Sequence, residues 1–373
     1  MPSRALDERF MQRALRLAER GRGRTRPNPV VGAIVVRAGR VVGEGWHRAA
    51  GLPHAEVEAI RRAGTRARGA TLYVSREPCA HIGRTPPCTE AIIAAGIRRC
   101  VVAMRDPHRI VDGKGLRTLR AAGVEVEAGV LEAAARQVLS GYVTAHDSAR
   151  PRTTWKVAVT LDGRSADRRG RSQWITGPIA RRQVQRMRAA SDAIVIGSGT
   201  ARADDPRLTV RGVAGRRLAP LRVVCDSHLG LPLTLRLFQP PLARGTVVVC
   251  RRDAAPSRVA ALERRGVQVW RLASARGGVS PRSLARRLAR AGCHDVLIES
   301  GPRLGSAWLK AGLVDRVACF IAPRLLGAPG VPWCGPLGHA SLADAMAGRI
   351  VRVSRVGDDV LLEMEIAHVH RTG

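Results

Sequence analysis

The residues best suited to chemistry are one histidine, one glutamate and two cysteines in the first third of the chain. His54 and Glu56 lie in HAEVEA, and Cys79 and Cys88 lie in EPCAHIGRTPPC, each directly after a proline. One His and two Cys make three zinc ligands. Since a structural zinc normally has four, three predict a catalytic site with one position left for water. Zinc lowers the pKa of such a water to about 7, and Glu56 is close enough in the chain to carry protons to a leaving amine.

This order of residues is typical of zinc-dependent base deaminases. Those enzymes carry His-x-Glu followed by Pro-Cys and a second Cys, with the glutamate acting as general acid and base without binding the metal. Here eight residues separate the two cysteines, where the common signature has two, and the insert contributes His81 and Arg84, which could face a substrate. The alternative is a set of unrelated surface Cys and His residues.

The hydrophobic pattern predicts the elements that position these residues. His54 precedes a helix that ends at Gly64, Cys79 follows the strand ATLYVS, and Cys88 begins a helix that ends at Gly96. Helix and strand signals alternate along the whole chain, which indicates an α/β protein. The polar segment 146–154 contains a proline and predicts a linker between two domains, residues 1–147 and 151–373. In the second domain we predict helices at 178–190, 257–265, 281–291 and 302–311, and a final hairpin that turns at Gly357-Asp358.

Two glycine-bearing segments follow strands in the second domain. They are Gly197-Ser198-Gly199-Thr200 and the stretch from Gly301 to Ser306. Glycine lets backbone amides approach a phosphate at a helix N-terminus. Neither segment is a dinucleotide fingerprint, because Arg202 stands where the third glycine would be. From the residues alone, a nucleotide site and ordinary turn glycines are both open.

Composition limits the possible partners. The formal net charge of +33 favours a polyanion, but the excess is almost wholly arginine, and aromatic residues, on which single strands stack, are only 3%. We therefore expect a solvated basic surface and no specific nucleic-acid partner. No run of about 18 apolar residues occurs, so we expect no membrane span. The N-terminal stretch holds Asp7, Glu8 and Glu19, unlike a transit peptide, and we expect a cytoplasmic protein that forms a homo-oligomer, either a dimer or a tetramer.

Motifs in both halves resemble the bifunctional riboflavin-biosynthesis deaminase/reductase family. The first half carries RPNPVVGAIVV, GEGWH, HAEVEA and EPCAHIGRTPPC, and the second carries KVAVTLDGRSA, SQWITG, GSGTARADDPRLTVR and ESGPRLGSAWLKAGLVDRV. The resemblance implies an N-terminal cytidine-deaminase-like three-layer domain and a C-terminal dihydrofolate-reductase-like domain. It also implies one zinc ion per chain in the first domain and NADPH in the second.

The same resemblance assigns roles to individual residues. In the deaminase half it makes His54, Cys79 and Cys88 the zinc ligands, Glu56 the proton shuttle, and Asn28, His47, His81 and Arg84 the substrate contacts. In the reductase half the NADPH contacts would be Ala158, Trp174, Thr200, Asp204, Ser227 and a loop formed by Gly301, Pro302, Arg303, Leu304, Gly305, Ser306 and Ala307. The reductase substrate contacts would be Lys156, Ser172, Arg188, Leu208, Arg211 and Glu299. Purely structural roles are the alternative for Asn28, His47, His81 and Arg84. For Lys156 the alternative is a solvated strand-end position.

The implied substrates are small phosphorylated pyrimidines. The first domain would convert 2,5-diamino-6-(5-phosphoribosylamino)pyrimidin-4-one into 5-amino-6-(5-phosphoribosylamino)uracil, and the second would reduce the ribosyl group to ribityl. Two other hypotheses stay open. A nucleic-acid editing deaminase, such as a tRNA adenosine deaminase, is favoured by the zinc motif and the charge. A decayed domain that only binds nucleotides is opposed by the presence of every proposed zinc ligand and of Glu56.

Overall fold

The structure is a computed structural model that describes residues 3–83, 85–108, 111–215, 218–275 and 278–367. Within these residues, no helix has the length and the apolar character needed to cross a membrane. The chain divides into two compact units, Met1–Ala149 and Arg150–Gly373. Each unit is built around its own β-sheet.

The first unit alternates helices and strands. Its helices are α1 (Arg4–Glu19), α2 (Ala55–Ala63), α3 (Cys88–Ala94), α4 (Lys114–Ala121), α5 (Glu132–Val138) and α6 (Ser140–Ser148), with a 3-10 turn at Gly64–Ala67. Its strands are β1 (Gly32–Arg37), β2 (Arg40–Trp46), β3 (Thr71–Val74), β4 (Arg99–Val102) and β5 (Glu125–Ala128).

The sheet of the first unit has the order β2-β1-β3-β4-β5, with β1 antiparallel to both neighbours and the last three strands parallel. Successive side chains of β1 point to opposite faces, so Ala33 and Val35 enter one apolar cluster while Ile34 and Val36 enter the other. Ala55 and Ala59 of α2 belong to the first cluster, and Ala14 and Leu17 of α1 belong to the second. Helices therefore cover both faces, and the unit has three layers.

Close helix packing fixes where α2 lies. A Cβ on Gly43 would come within 2.1 Å of the Ala59 carbonyl oxygen, and one on Gly45 within 2.2 Å of the Ala55 carbonyl oxygen. Only glycine permits this approach, which holds the start of α2 directly against β2. The beginning of α2 is where His54 and Glu56 lie.

The second unit is larger. Its helices are α7 (Pro178–Ala190), α8 (Ser198–Asp204), α9 (Pro256–Glu263), α10 (Pro281–Arg290) and α11 (Pro302–Lys310), with a 3-10 turn at Arg236–Phe238. Its strands are β6 (Arg152–Thr160), β7 (Arg164–Ala166), β8 (Ala193–Gly197), β9 (Leu221–Cys225), β10 (Thr246–Arg251), β11 (Gln268–Leu272), β12 (Ser274–Ala275), β13 (Gly278–Val279), β14 (Asp295–Ile298), β15 (Arg316–Ala322), β16 (Val331–Pro332), β17 (Gly348–Val356) and β18 (Asp359–Ile366).

The main sheet of this unit has the order β11-β10-β9-β8-β14-β6-β15-β18-β17. The strands from β11 to β15 are parallel, and β18 and β17 are antiparallel to their neighbours. One face carries a single large apolar cluster, which includes Trp155, Val157 and Val159 of β6. The opposite face carries two separate clusters, one around Ile194 and Ile196 and one around Phe320.

The gap between these two clusters lies over the centre of the sheet. Because side chains alternate along β6, Lys156 points to the face opposite Trp155, next to Ala158, which packs against the Phe320 cluster. The parallel strand order brings the carboxyl end of β14, and with it Glu299, to the same region. An interruption in the apolar layer thus places polar side chains at the middle of the sheet.

Several predicted elements are confirmed and one prediction is wrong. Helix α7 covers 178–190 as predicted, and the hairpin of β17 and β18 turns at Gly357-Asp358. The predicted linker over 146–154 is much shorter, because α6 continues to Ser148 and β6 begins at Arg152. The polar residues 146–148 form the exposed end of a helix, and Ala149, with φ of 51°, ends it.

Candidate functional site

The three predicted zinc ligands meet in the first unit. His54 precedes α2, Cys88 is the first residue of α3, and Cys79 lies on the loop after β3. His54 Nδ1 is 3.1 Å from Cys88 Sγ and 3.6 Å from Cys79 Sγ. All three donor atoms lie within 4.8 Å of one another, and among the described residues they form the group suited to holding a metal ion. One nitrogen and two sulfurs at this spacing fit tetrahedral zinc with one position left over.

Hydrogen bonds at the two cysteines favour the thiolate of Cys79 over that of Cys88. The backbone N–H of Cys88 donates to Cys79 Sγ over 3.4 Å. A hydrogen bond from the Cys88 thiol, and a second from His54, lower the pKa of Cys79 to about 4. The pKa of Cys88 is raised by the same shared proton and by burial. Because zinc binds thiolates, metal binding at this pair releases protons.

The orientation of His54 is set by Thr85. His54 Nδ1 faces the sulfurs, while His54 Nε2 lies 3.4 Å from the Thr85 hydroxyl. A ligating histidine commonly uses its second nitrogen to donate to a fixed acceptor, which locks the tautomer. Thr85 was not among the predicted residues. Its only sequence signal is its place in the insert between the two cysteines.

Glu56 lies beside the donors, and one of its carboxylate oxygens is left unsatisfied. The side chain is buried, and within the described residues its Oε2 has no hydrogen-bond partner. Burial raises the pKa of Glu56. The charge of His54 lowers this pKa and that of Cys79 raises it, and on balance it lies above the usual value. A buried carboxylate with one unpartnered oxygen next to a metal donor set is suited to accept and release protons.

Asn28 and His47 extend this centre. The Asn28 amide donates to His47 Nε2 over 3.0 Å, and His47 Nδ1 donates to the Pro53 carbonyl over 3.4 Å. Burial lowers the pKa of His47 to about 4, so its ring is neutral, and it meets the His54 ring edge-on at 5.2 Å. The structure thus brings both predicted residues to the zinc donors. His81 is exposed on the loop between the cysteines, and Arg84 lies outside the described residues.

A second polar centre lies in the gap on the sheet of the second unit. Arg188 of α7 and Glu299 form a two-pronged ion pair, with Nε–Oε1 at 2.5 Å and Nη2–Oε2 at 2.9 Å. Arg188 also donates to the Thr209 carbonyl over 3.2 Å. Burial lowers the pKa of Lys156, against the opposing charges of Glu299 and Asp204. This centre therefore contains Lys156, Arg188 and Glu299, predicted as substrate contacts, together with Asp204, predicted as a cofactor contact.

The other predicted reductase residues lie on several segments of the second unit and differ in exposure. The Gln173 side chain donates to Asp204 over 3.2 Å, and next to it Trp174 is 62% exposed, with the Arg181 guanidinium 4.5 Å above its ring. The Arg211 backbone N–H donates to Gln185 of α7 over 2.9 Å. Further positions are Ser172, half-buried in the same segment as Trp174, Thr200 within α8, and Ser227, whose hydroxyl accepts from the Val279 N–H over 3.2 Å.

The side chain of Leu208 is buried and does not face a substrate site. Its side chain is buried in the cluster around Ile194 and Ile196, and its φ is 48°. The side chain belongs to the core, so only its backbone can face a ligand.

The proposed cofactor segment from Gly301 to Ala307 forms the start of α11, which agrees with the helix predicted at 302–311. Gly301 precedes the helix and Pro302 is its first residue, a position where proline already has the helical φ. A Cβ on Gly301 would have no heavy atom within 4 Å, whereas one on Gly305 would lie 2.0 Å from the Trp155 ring. Gly301 thus stands at an open helix N-terminus, and Gly305 is a packing residue. In the same segment, Ser306 accepts from the Gly335 N–H over 2.8 Å.

Comparison with known proteins covers both units. The family model described as the cytidine and deoxycytidylate deaminase zinc-binding region matches residues 4–104, and the model of the RibD C-terminal domain matches residues 151–362. These matches confirm the predicted fold class. Riboflavin biosynthesis protein RibD from Aquifex aeolicus is 40% identical over 359 residues, which cover 96% of this chain and 98% of the relative.

Solved structures show the same similarity. Acinetobacter baumannii RibD, in its form 2, has a TM-score of 0.89 and 37% identity, with 97% of this chain and 99% of that chain covered. A Thermotoga maritima diaminohydroxyphosphoribosylaminopyrimidine deaminase/5-amino-6-(5-phosphoribosylamino)uracil reductase has a TM-score of 0.84 and 35% identity, with 97% and 99% covered. The similarity spans the zinc donors and the second polar centre alike, and the chain belongs to the riboflavin biosynthesis protein RibD family of bifunctional deaminase/reductases.

Proposed function

We propose that this chain removes the 2-amino group of 2,5-diamino-6-(5-phosphoribosylamino)pyrimidin-4-one and then reduces the ribosyl group of the resulting uracil to ribityl with NADPH. Two activities of these kinds are named for the Thermotoga maritima protein. The observation that carries the proposal is that three zinc donors lie beside Glu56, whose Oε2 has no hydrogen-bond partner within the described residues. We propose residues 1–147 for the first activity and 151–373 for the second.

In the deaminase unit, His54, Cys79 and Cys88 would hold zinc, which when bound makes water reactive enough to attack a ring carbon at neutral pH. Glu56 takes up a proton at Oε2 and delivers it to the departing amine, a task suited to its raised pKa. The hydrogen bond to His47 fixes the Asn28 amide, so this neutral pair can orient the pyrimidine without adding charge beside the thiolates. His81 and Arg84 would contact the phosphoribosyl part, where an arginine suits a phosphate.

In the reductase unit, NADPH when bound supplies the hydride that reduces C1′ of the ring-opened sugar imine. Trp174, Thr200, Asp204, Ser227 and the start of α11 would hold it. Gly301 leaves open space at a helix N-terminus, a place suited to a cofactor phosphate. Lys156, Arg188 and Glu299 form a fixed polar frame for the ribose, and Ser172, Leu208 and Arg211 would complete the substrate site.

We also propose that the protein works in the cytoplasm as a homo-oligomer. A site with two cysteine ligands requires reduced thiols, which the cytoplasm maintains. On the edge hairpin, Ile350 and Val353 are 57% and 63% exposed. They pair with Met364 and Leu362, so they share one face, which suits contact with a second copy. Val353→Glu should lower the mass measured by light scattering, and an unchanged mass would count against this face.

The activity proposal is tested by following NADPH absorbance after the diaminopyrimidine phosphate is added to zinc-loaded protein. We expect a fall that stops after zinc chelation and resumes when the deaminated product is supplied directly. Glu56→Gln should keep zinc but lose deamination by about 10²- to 10⁴-fold while still reducing the supplied product. No fall with either compound, with zinc bound, would refute the proposal.

A further inference from the structure

We propose that Glu77 is a positioning residue for the zinc site, whose carboxylate holds the loop carrying Cys79 against the start of α4 and thereby sets the affinity for the metal ion. The inference depends on the proposed function only through the zinc-binding role of Cys79. It concerns a residue that was not predicted from the sequence and whose carboxylate, among the described residues, is bonded to backbone N–H groups.

Glu77 is buried, and both of its carboxylate oxygens accept hydrogen bonds from backbone N–H groups. Oε1 accepts from Gly115 over 2.9 Å and from Leu116 over 3.4 Å, and Oε2 accepts from Gly113 over 3.0 Å and from Asp106 over 3.3 Å. Gly115 and Leu116 belong to the first turn of α4, whose N–H groups have no partner within the helix. One side chain therefore satisfies the start of α4 and ties it to the segment before Cys79.

The chain between Glu77 and Cys79 is short and rigid. The one residue between them is Pro78, whose ring fixes its φ angle. A Cβ on Gly115 would lie 1.9 Å from the Pro78 carbonyl oxygen, so α4 also touches the chain directly between Glu77 and the metal ligand. Beyond Pro78, the Cys79 carbonyl accepts from the Thr89 N–H of α3 over 3.2 Å. A shift of Glu77 is thus passed to Cys79, which is held between α3 and α4.

Arg76, the residue before Glu77, also binds the segment that contains Asp106, through its guanidinium group. Its guanidinium pairs with the Asp106 carboxylate and donates to the Tyr142 hydroxyl over 3.2 Å. The Glu77 backbone N–H donates to the Met104 carbonyl over 3.0 Å. These bonds can keep the segment near 104–106 in place when the Glu77 carboxylate is altered. A change at Glu77 should therefore act on the Cys79 loop without unfolding the whole unit.

The test compares Glu77→Gln with a buried carboxylate on the other side of the sheet. The introduced amide side chain has the same shape as the carboxylate, but its NH₂ group cannot accept, so two of the four N–H groups lose their partner. Asp7→Asn is the matched control, because Asp7 is also buried and bonded, to Tyr73 and Arg99, but lies in the α1 layer away from the zinc donors. Zinc Kd is measured by chelator competition, and the cobalt-substituted protein reports the thiolate–metal absorption band.

We expect Glu77→Gln to weaken zinc binding by about 10- to 100-fold and to shift the cobalt–thiolate band, as changes behind a metal ligand do. Asp7→Asn should lower the melting temperature and leave zinc Kd within about twofold of wild type. An unchanged zinc Kd and cobalt band in Glu77→Gln, or an equal loss of affinity in Asp7→Asn, would overturn the proposal.

A second variant keeps the test decisive if Glu77→Gln does not fold. Gly115→Ala leaves the carboxylate intact but drives a methyl group against the Pro78 carbonyl, so it should weaken zinc binding from the opposite side of the loop. Wild-type zinc affinity in that variant would overturn the proposal. These readouts involve no substrate, so failure of the proposed deamination would leave their result unaffected.

Discussion

Replacing Gly305 by alanine should damage the reductase unit in a way that reveals why this glycine is present. Gly305 lies in the second turn of α11, and its Cα faces the fully buried ring of Trp155. The ring cannot easily retreat, because it packs against Trp333 at 5.1 Å and its Nε1 donates to the Ser300 carbonyl over 3.4 Å. The added methyl group must therefore move α11.

The size of the effect follows from the distances. The new Cβ would lie 2.0 Å from Cε2 and Cζ2 of Trp155, whereas ordinary contacts begin at 3.4 Å, so the helix or ring must shift by about 1.4 Å. Overpacking of this kind costs about 1–3 kcal/mol of unfolding free energy. The better helix propensity of alanine returns about 0.5–1 kcal/mol. We expect a net loss of about 1–2 kcal/mol, which lowers the melting temperature of a unit of this size by about 2–4 °C per kcal/mol.

The assay measures thermal unfolding and NADPH binding of Gly305→Ala beside Gly230→Ala. Gly230 is the control because a Cβ there would have no heavy atom within 4 Å. A rise in the Kd for NADPH should accompany the destabilisation, since the shifted helix begins at the proposed cofactor site. Trp155→Phe removes the crowding ring atoms, so the alanine should cost less in that background. The explanation is refuted if Gly305→Ala costs as much stability in the Trp155→Phe background as in the wild type. It is also refuted if Gly305→Ala and Gly230→Ala are equally stable.

Three further results are expected. Asp204→Ala should spare ammonia release and impair NADPH oxidation, because Asp204 lies at the end of α8 beside Lys156, and an equal loss of both activities in coupled assays would contradict this. Zinc chelation should lower the calorimetric transition of the first unit only, because all three donors belong to it, and added zinc should restore it. Arg188→Gln should reduce stability most at neutral pH. Burial alone would raise the pKa of Glu299, but the charge of Arg188 lowers it below its usual range. The wild type therefore loses this contribution as the pH falls through that lowered pKa, and a difference in urea unfolding that stays constant from pH 7 through the acid range would contradict the expectation.

The zinc donors and many elements could be predicted because their signals are local. His54 and Glu56 are two residues apart, and the prolines before Cys79 and Cys88 mark rigid turns before a ligand. The final hairpin could also be predicted, because its turn needs a residue with positive φ. Gly357 adopts a φ of 72° there, a conformation that glycine takes at no steric cost.

The contacts that support the sites could not be predicted, because they join distant parts of the chain. Glu77 is bonded to residues 29–39 positions later, and Gly305 packs against a ring 150 positions earlier. By its sequence, Gly305 resembles a glycine beside a phosphate, and only the position of Trp155 shows its packing role. Helix α8 escaped prediction because it has seven residues, of which Ala201 alone is buried, and so lacks an apolar period.

The bonds from Glu77 to the start of α4 also determine when the metal site can be completed during synthesis. His54, Cys79 and Cys88 leave the ribosome well before Gly113, Gly115 and Leu116, whose N–H groups the carboxylate needs. The loop carrying Cys79 therefore takes its final form only when the beginning of α4 has emerged, a few seconds after Cys88 at about 5–20 residues per second. Until then the nascent chain exposes two cysteines and a histidine in a loosely held arrangement, open to oxidation or to the wrong metal ion. With Glu77 in the proposed role, the metal site of this chain is complete only after synthesis has passed Leu116.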